Sequence, residues 1–302
     1  MNVLLSGSTG FLGANILKHF VAMGHHVDTI GRSNENVIVA NLANFDTPIN
    51  THYDLVIHAA GKAHVIPKNL AEEKMFYDVN LEGTKNLLKS LIKPPSKFIF
   101  ISTVAVYGRD YGLDINEDHP LNANTPYGKS KVLAEKEIQD WSQKYNIEAT
   151  ILRLPLIIGN NPKGNLQSMI NAIRKGFYFN IGKGDSKKSM VLVDDVSLSI
   201  LTLMNYPNIY HLTDGYNPSF KELSNLIGKH FGVKRILSLN YYLIKPIAIF
   251  GDIIKSITSI SLPLDSKKLE KINKSLTFND SRARAVGYVP RQVLESKNIW
   301  LK

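Results

Sequence analysis

Tyr127 and Lys131 stand four residues apart in Tyr127-Gly128-Lys129-Ser130-Lys131, at the head of a stretch with helical periodicity. On a helix that spacing places both side chains one turn apart on one face. A phenol with a pKa near ~10 transfers protons poorly at neutral pH, and a neighbouring ammonium lowers that value by stabilising the phenolate. Tyr127 would then act as a general acid and base. Taken alone the spacing also occurs as a surface pair, so its meaning depends on what the chain places beside it.

A second group is Gly7-Ser8-Thr9-Gly10-Phe11-Leu12-Gly13, set between the apolar run Val3 to Ser6 and the amphipathic stretch Phe11 to Met23. Its glycines permit a tight turn, close approach of backbone to a diphosphate, and close packing of helix on strand. The helix N-terminus adds amides and a positive dipole. An ordinary strand-helix turn is the plainer reading, but a strand before and a helix after favour a dinucleotide cradle. Gly7, Thr9, Gly10, Phe11, Leu12 and Gly13 are then the expected cofactor contacts. After the next strand the chain reads Ile30-Gly31-Arg32-Ser33, with no carboxylate to accept ribose hydroxyls. Arg32 can pair with a 2′-phosphate or remain a solvated surface charge, so NADP is favoured and NAD stays open.

The third group, Ser102-Thr103-Val104-Ala105-Val106-Tyr107-Gly108, ends a strand, where a hydroxyl can grip a reacting oxygen. Positioning these groups requires an ordered sheet. Val3 to Ser6, Val27 to Ile30, Leu55 to His58, Phe98 to Ser102 and Thr150 to Leu154 read as buried strands. Phe11 to Met23, Ala71 to Ile92 and Tyr127 to Tyr145 read as helices. The alternation predicts an α/β fold: a Rossmann-type doubly wound parallel sheet with a smaller C-terminal substrate-binding lobe. Residues 1–160 are expected to form the dinucleotide-binding domain. Residues 161–302, with helical segments at Leu166 to Lys175 and Phe220 to Phe231, form mainly the substrate lobe, and a segment near 191–199 should return to the main sheet.

With the glycine loop, the Thr103 strand end and the Tyr127 helix in this order, the sequence resembles the extended short-chain dehydrogenase/reductases, particularly the nucleotide-sugar epimerases and ketoreductases, over most of its length. The resemblance implies Thr103, Tyr127 and Lys131 as the catalytic set, with Lys131 also holding the nicotinamide ribose and Ser102 beside the cofactor. It places Asn41-Leu42 beside the adenine and Ala59-Ala60-Gly61 under the cofactor. Asn80 becomes the helix asparagine that braces the central strands, although an isolated polar helix residue reads almost as well. Arg153-Leu154-Pro155 with Ile157-Ile158-Gly159 resembles the family's R-x-P…V-Y-G segment, with Ile158 in place of the tyrosine. Asn165 and Lys188, together with Thr103, are the implied substrate contacts. Lys188 stands where the family has arginine, which costs the bidentate fork. As a solvated surface charge it reads equally well. Leu276 to Asp280, with Arg282, Gly287, Tyr288 and Pro290, resembles the closing helix and turn. A homodimer is expected from the family alone.

Bulk properties narrow the classes. The 302 residues can bury a sizeable core, and 44% hydrophobic with 21% charged residues is ordinary globular composition. With no cysteine, disulfides and thiolate metal sites are excluded. His58 and His64 lack companions for a metal, so none is expected. The net charge of +10 is scattered, without a recognition helix or zinc-finger spacing, so phosphate-bearing small substrates explain it as well as nucleic acid, which is not expected as a partner. The start MNVLLSGSTG has no secretory pattern, giving a cytoplasmic expectation. Tyr241 to Leu262 is apolar but carries Lys245, Asp252 and Lys255, so no membrane span is expected. Ile244, Ile247, Phe250, Ile254 and Ile257 follow helical spacing, which suits packing on the core, the favoured reading, or lying on a membrane surface.

The resemblance also bears on the reaction. The family's 4,6-dehydratases carry Asp and Glu after the catalytic threonine, whereas Val104 and Ala105 here cannot move protons. Dehydration is disfavoured, leaving NAD(P)-dependent hydride transfer at C4 of a nucleotide-diphosphate sugar, as 4-ketoreductase or 4-epimerase, with a slight tilt toward reductase. A steroid- or flavonoid-type ketone reductase and a non-catalytic NAD(P)-sensing protein are the alternatives. The Lys187-Lys188 pair argues against the first, and retention of Tyr127 and Lys131 against the second.

Overall fold

The computed structural model describes all residues except 64, 161, 163, 259–265 and 302. His64 and the end of the apolar stretch Tyr241 to Leu262 lie outside the described residues. Strand β1 (Asn2–Ser6) leads into helix α1 (Phe11–Ala22), followed by β2 (His26–Gly31), β3 (Ile38–Val39) and β4 (Leu55–His58). Helices α2 (Leu70–Tyr77) and α3 (Gly83–Ser90) are joined by a π-helical turn over Asp78–Glu82. Then come β5 (Lys97–Thr103), β6 (Gly112–Ile115), α4 (Pro126–Tyr145) and β7 (Glu148–Leu154).

The remainder runs β8 (Leu156–Ile158), α5 (Asn165–Arg174), β9 (Phe179–Ile181), β10 (Met190–Leu192), α6 (Val193–Leu203) and β11 (Ile209–His211). It continues with α7 (Phe220–His230), β12 (Leu237–Leu239), α8 (Tyr241–Thr258), α9 (Ser266–Asn273), β13 (Leu276–Phe278), α10 (Ser281–Ala285) and α11 (Lys297–Trp300).

Seven strands form one parallel sheet in the order β11-β7-β5-β4-β1-β2-β3. Alternation divides its side chains between two layers. Val3, Leu5, Leu55, Ile57, Ile99 and Leu152 pack with α1 and α6. Leu4, Val56, Phe98, Phe100 and Ile151 pack with α3 and α4. Burial on both faces explains why these strands read as continuous apolar runs. Strand order reverses between β1 and β4, so the crevice at their carboxyl ends is the place a parallel sheet offers a ligand.

The return to the sheet is not at 191–199. β10 pairs with β8 in a separate two-strand ladder, α6 packs on α1, and the strand that joins the sheet is β11, beside β7. Val193, Val196, Ile200 and Leu203 are all buried and recur at helical spacing, which a strand reading of that stretch overlooks. The second lobe has its own core, in which Leu166, Met169, Ile170 and Ile173 of α5 meet Leu223 and Ile227 of α7. Helix α7 starts in a reciprocal cap between Ser219 and Glu222. Among the described residues no helix is long and apolar enough to cross a membrane.

A buried polar chain ties the ends of β1 and β4 to the start of α3. The Ala60 amide donates to Ser6 Oγ (3.1 Å), Ser6 Oγ lies 2.6 Å from His58 Nδ1, and His58 Nε2 lies 2.9 Å from Thr84 Oγ1. Thr84 commits its own proton to the Asn80 carbonyl (2.6 Å), so Nε2 of His58 carries hydrogen and Nδ1 accepts from Ser6. Every group is used once, with His58 neutral. Burial, helped by the nearby Lys131 ammonium, pushes His58 down to about 3, and burial pushes His211 down to about 4. Both lie below the unfolded value of about 6.5, so below that pH the unfolded chain binds protons that the folded chain refuses. Stability should therefore fall as pH drops from about 6.5 toward 4, by roughly 1.4 kcal/mol per pH unit for each histidine. Urea unfolding between pH 4.5 and 7 tests this, and a flat unfolding free energy there would contradict the neutral chain.

Candidate active site

The loop after β1 is built from backbone. Gly7 has φ +77°, and a Cβ there would stand 2.7 Å from the Ala60 nitrogen. At Gly13 a Cβ would come within 2.0 Å of the Gly7 carbonyl oxygen, so α1 can rest on the loop only without one. The Gly10 amide closes the turn on the Gly7 carbonyl (3.0 Å), and no side chain caps α1. The first helical amides therefore remain for an anion, beside a surface cleared of side chains. That donor set fits a dinucleotide diphosphate.

Thr9 and Gly10 are exposed, Phe11 is half-buried and Leu12 is core. Ala59 and Ala60 stand against the other side of the loop, where a Cβ on Gly7 would meet their backbone. Arg32 is exposed just past β2. Asn41 caps a short turn, accepting from the Ala43 amide at 3.4 Å. Leu42, expected beside the adenine, has its side chain in the core against Gly83. Asn36, which the sequence reading missed, is buried and accepts from Ser8 Oγ at 2.7 Å, stitching the β2–β3 loop to the glycine loop. The position carries no motif; an Asn in a polar loop gives no local signal of its partner.

The second group forms where α4 meets the end of β5. Thr125 caps α4, its hydroxyl accepting from the Gly128 amide (3.1 Å), with Pro126 in the first turn. A Cβ on Gly128 would lie 2.6 Å from the Ala105 carbonyl oxygen, so glycine lets the helix start seat on the turn after Thr103. Tyr127 thereby reaches Thr103. Burial raises the Tyr127 phenol above its ordinary value, and a hydrogen bond with Thr103 opposes that rise.

Lys131 is buried one turn on. Its Nζ donates to the Ile101 carbonyl (2.8 Å), lies 4.4 Å from the centre of the Phe100 ring, and would be 3.4 Å from a Cβ on Gly61. Burial pushes it down to about 8, while Glu135 on the next turn opposes the shift. Asn80, in the π-helical turn, braces this assembly. Its Oδ1 accepts from the Lys62 amide (2.7 Å), and its Nδ2 donates to the Lys62 carbonyl (3.1 Å) and to Ser130 Oγ (2.9 Å).

Ser102, expected beside the cofactor, gives its hydroxyl to Glu135. Glu135 also receives Arg153, with Nη2 to Oε2 at 2.7 Å and Nε to Oε1 at 3.1 Å. Arg153 Nη1 donates to Tyr107 Oη and to the Glu117 carbonyl, both at 2.8 Å, and Tyr107 Oη lies 2.6 Å from His211 Nε2. The Arg153 of the R-x-P segment thus serves the core. Glu135 was legible in one respect only, its four-residue spacing from Lys131.

The substrate-side residues sit apart from this group. Asn165 is exposed on the first turn of α5. Lys188 is half-buried, its ammonium donating to the carbonyls of Lys271 (3.1 Å) and Lys274 (2.9 Å), and burial pushes it down to about 8. It ties β13 to its own loop, so the fully solvated reading fails and the phosphate reading must share the ammonium with two carbonyls. Among the described residues no cluster of three or more His, Cys, Asp or Glu could hold a metal ion.

Residues 3–213 match the model of the NAD dependent epimerase/dehydratase family. The chain is 27% identical to the N-acetyl-α-D-glucosaminyl-diphospho-ditrans,octacis-undecaprenol 4-epimerase of Escherichia coli, over 95% of this chain and 90% of that protein. It is 29% identical to the UDP-glucose 4-epimerase of Vibrio cholerae, over 74% of this chain and 73% of that one. The fold matches the UDP-glucuronic acid 4-epimerase of Bacillus cereus, solved with UDP-glucuronic acid and NAD, at a TM-score of 0.74 and 18% identity, covering 97% and 95% of the two chains. With the glycine cradle, the parallel sheet and a match spanning more than half its length, the chain belongs to the NAD-dependent epimerase/dehydratase family.

Proposed function

We propose that the chain interconverts the two configurations at C4 of a nucleotide-diphosphate sugar, using Thr103, Tyr127 and Lys131 with a bound NAD(P). One observation carries the reading: the Lys131 ammonium, one turn after Tyr127 on α4, is held by the Ile101 carbonyl and would lie 3.4 Å from a Cβ on Gly61, at the edge of the cofactor crevice. The names of the relatives support epimerisation over net reduction. The diphosphate is the chemistry common to a nucleotide sugar and to the polyprenyl-linked sugar in the Escherichia coli relative's name.

When bound, the nicotinamide exchanges hydride with the sugar carbon. Tyr127 Oη takes the carbinol proton during oxidation and returns it during reduction. Its half-buried phenol sits too high for this unaided, so the Lys131 charge must lower it when the site is filled. Thr103 holds the reacting oxygen. Val104 and Ala105, half-buried in the turn after Thr103, offer no acid or base for loss of water.

Tyr127→Phe should lower turnover by at least about a thousandfold with cofactor affinity unchanged, because it removes one proton-transfer atom. Retained turnover would remove Tyr127 from the role. Lys131→Met should move the alkaline limb of the oxidation profile to higher pH and cut the rate at neutral pH about a hundredfold or more. An unshifted profile would break the link between the two residues.

The decisive experiment follows UDP-sugars and their 4-epimers with stoichiometric cofactor. Equilibration of the epimers without net cofactor consumption supports the reading, and net oxidation of NADPH overturns it in favour of a reductase. We further infer a preference for NADP from exposed Arg32 and the absence of a carboxylate at the end of β2. Arg32→Ala should weaken NADPH about tenfold and leave NADH unaffected, and equal losses would reverse the preference.

A further inference from the structure

Helix α8 is apolar on both sides. Of the stripe expected to pack on the core, Ile244 is buried, beside Ala248, Ile181 and Leu269, whereas Phe250 faces out and the side chains of Ile247, Ile254 and Ile257 lie outside the described residues. Opposite them, Tyr242, Leu243, Ile249 and Phe250 are 77%, 73%, 44% and 60% exposed. At about 100° per residue these four share an arc of roughly 120° with Pro246, and Lys245 stands at its margin. A helix apolar all round belongs in a core or against another apolar medium.

The neighbouring ladder extends the surface. β12 pairs with β9 in parallel, Leu237 opposite Phe179 and Leu239 opposite Ile181. Opposed residues, and residues two apart, share a face. Ile181 is the residue covered together with α8, so Phe179, Leu237 and Leu239 continue the covered face into solvent, with Phe177 79% exposed at the strand's entrance. A cavity of about 260 Å³ lined by Phe177, Phe179, Phe220 and Ile272 indents it.

Charge selects the occupant. Parallel pairing brings exposed Arg174-Lys175 and exposed Lys234-Arg235 into the ladder from the same end. Between Lys221 and Lys274 ten Lys and Arg stand against four Asp and Glu. A second copy of this chain would set like charges against each other, whereas an anionic lipid headgroup layer complements both the bases and the apolar stripe. We propose that the outer face of α8 and the β9–β12 face seat on the interface of an anionic bilayer, with α8 lying in the headgroup plane. This seat is independent of the reaction proposed above.

Cosedimentation of the full chain with phosphatidylcholine vesicles, with and without phosphatidylglycerol, tests it. The chain should partition onto the anionic vesicles and be released by salt. Leu243→Ser with Phe250→Ser should lower the partition by about tenfold or more. Lys234→Glu with Arg235→Glu should lower it by about fivefold or more for each charge lost. Cofactor affinity and Tm should stay those of the unsubstituted chain, since all four side chains are exposed. Failure of the unsubstituted chain to bind anionic vesicles, or binding unchanged in both variants, overturns the proposal. So does a concentration-dependent dimer abolished by the same apolar substitutions, which would assign the face to a second copy.

Discussion

A cation buried in a sheet protein needs compensation on every side, and the ammonium of Lys131 imposes that condition on its surroundings. The Ile101 carbonyl takes one of its protons, the Phe100 ring supplies a negative face, and Glu135 adds charge from the next helical turn. β5 must therefore offer a free carbonyl toward α4 near its end, and α4 must start close enough to use it. Gly128 and the Thr125 cap meet the second requirement.

Glu135 is itself a buried charge, and it is held by Arg153 in a forked pair with Ser102 as a further donor. The Arg153 side chain then reaches Tyr107 and the Glu117 carbonyl, and Tyr107 reaches a neutral His211. The chain of partners ends on uncharged groups, and each charged group along it has a hydrogen-bond partner. Among the described residues every fully buried side-chain nitrogen or oxygen has a partner. The same economy holds along Ser6, His58, Thr84 and Asn80, where one tautomer satisfies all four. These two polar chains fix the ends of β1, β4, β5 and β7, the edge from which the site is built.

The second lobe is joined to this edge by backbone more than by charge. β13 pairs with β6 in the segment between β5 and α4, Lys188 holds the loop after β9 to the approach of β13, and α6 packs on α1 through Val193, Val196 and Ile200. Its outer surface sets large exposed apolar residues of α8 and the β9–β12 ladder beside exposed bases.

The sequence by itself determined what covalent geometry and short-range periodicity control. The turn at Gly7 to Gly13, the one-turn spacing of Tyr127 and Lys131, and the five buried strands follow from local φ/ψ limits and from patterns of two or 3.6 residues. Tertiary structure alone decided which partner each polar side chain takes. Ser102 turned to Glu135, Lys188 to two carbonyls and Asn36 to Ser8, while apolar Leu42 entered the core and the stretch after Leu192 became a helix. A hydroxyl, an amide or an ammonium is compatible with many neighbours along the chain. Only packing brings one of them within bonding distance, and burial makes leaving that bond unmade costly.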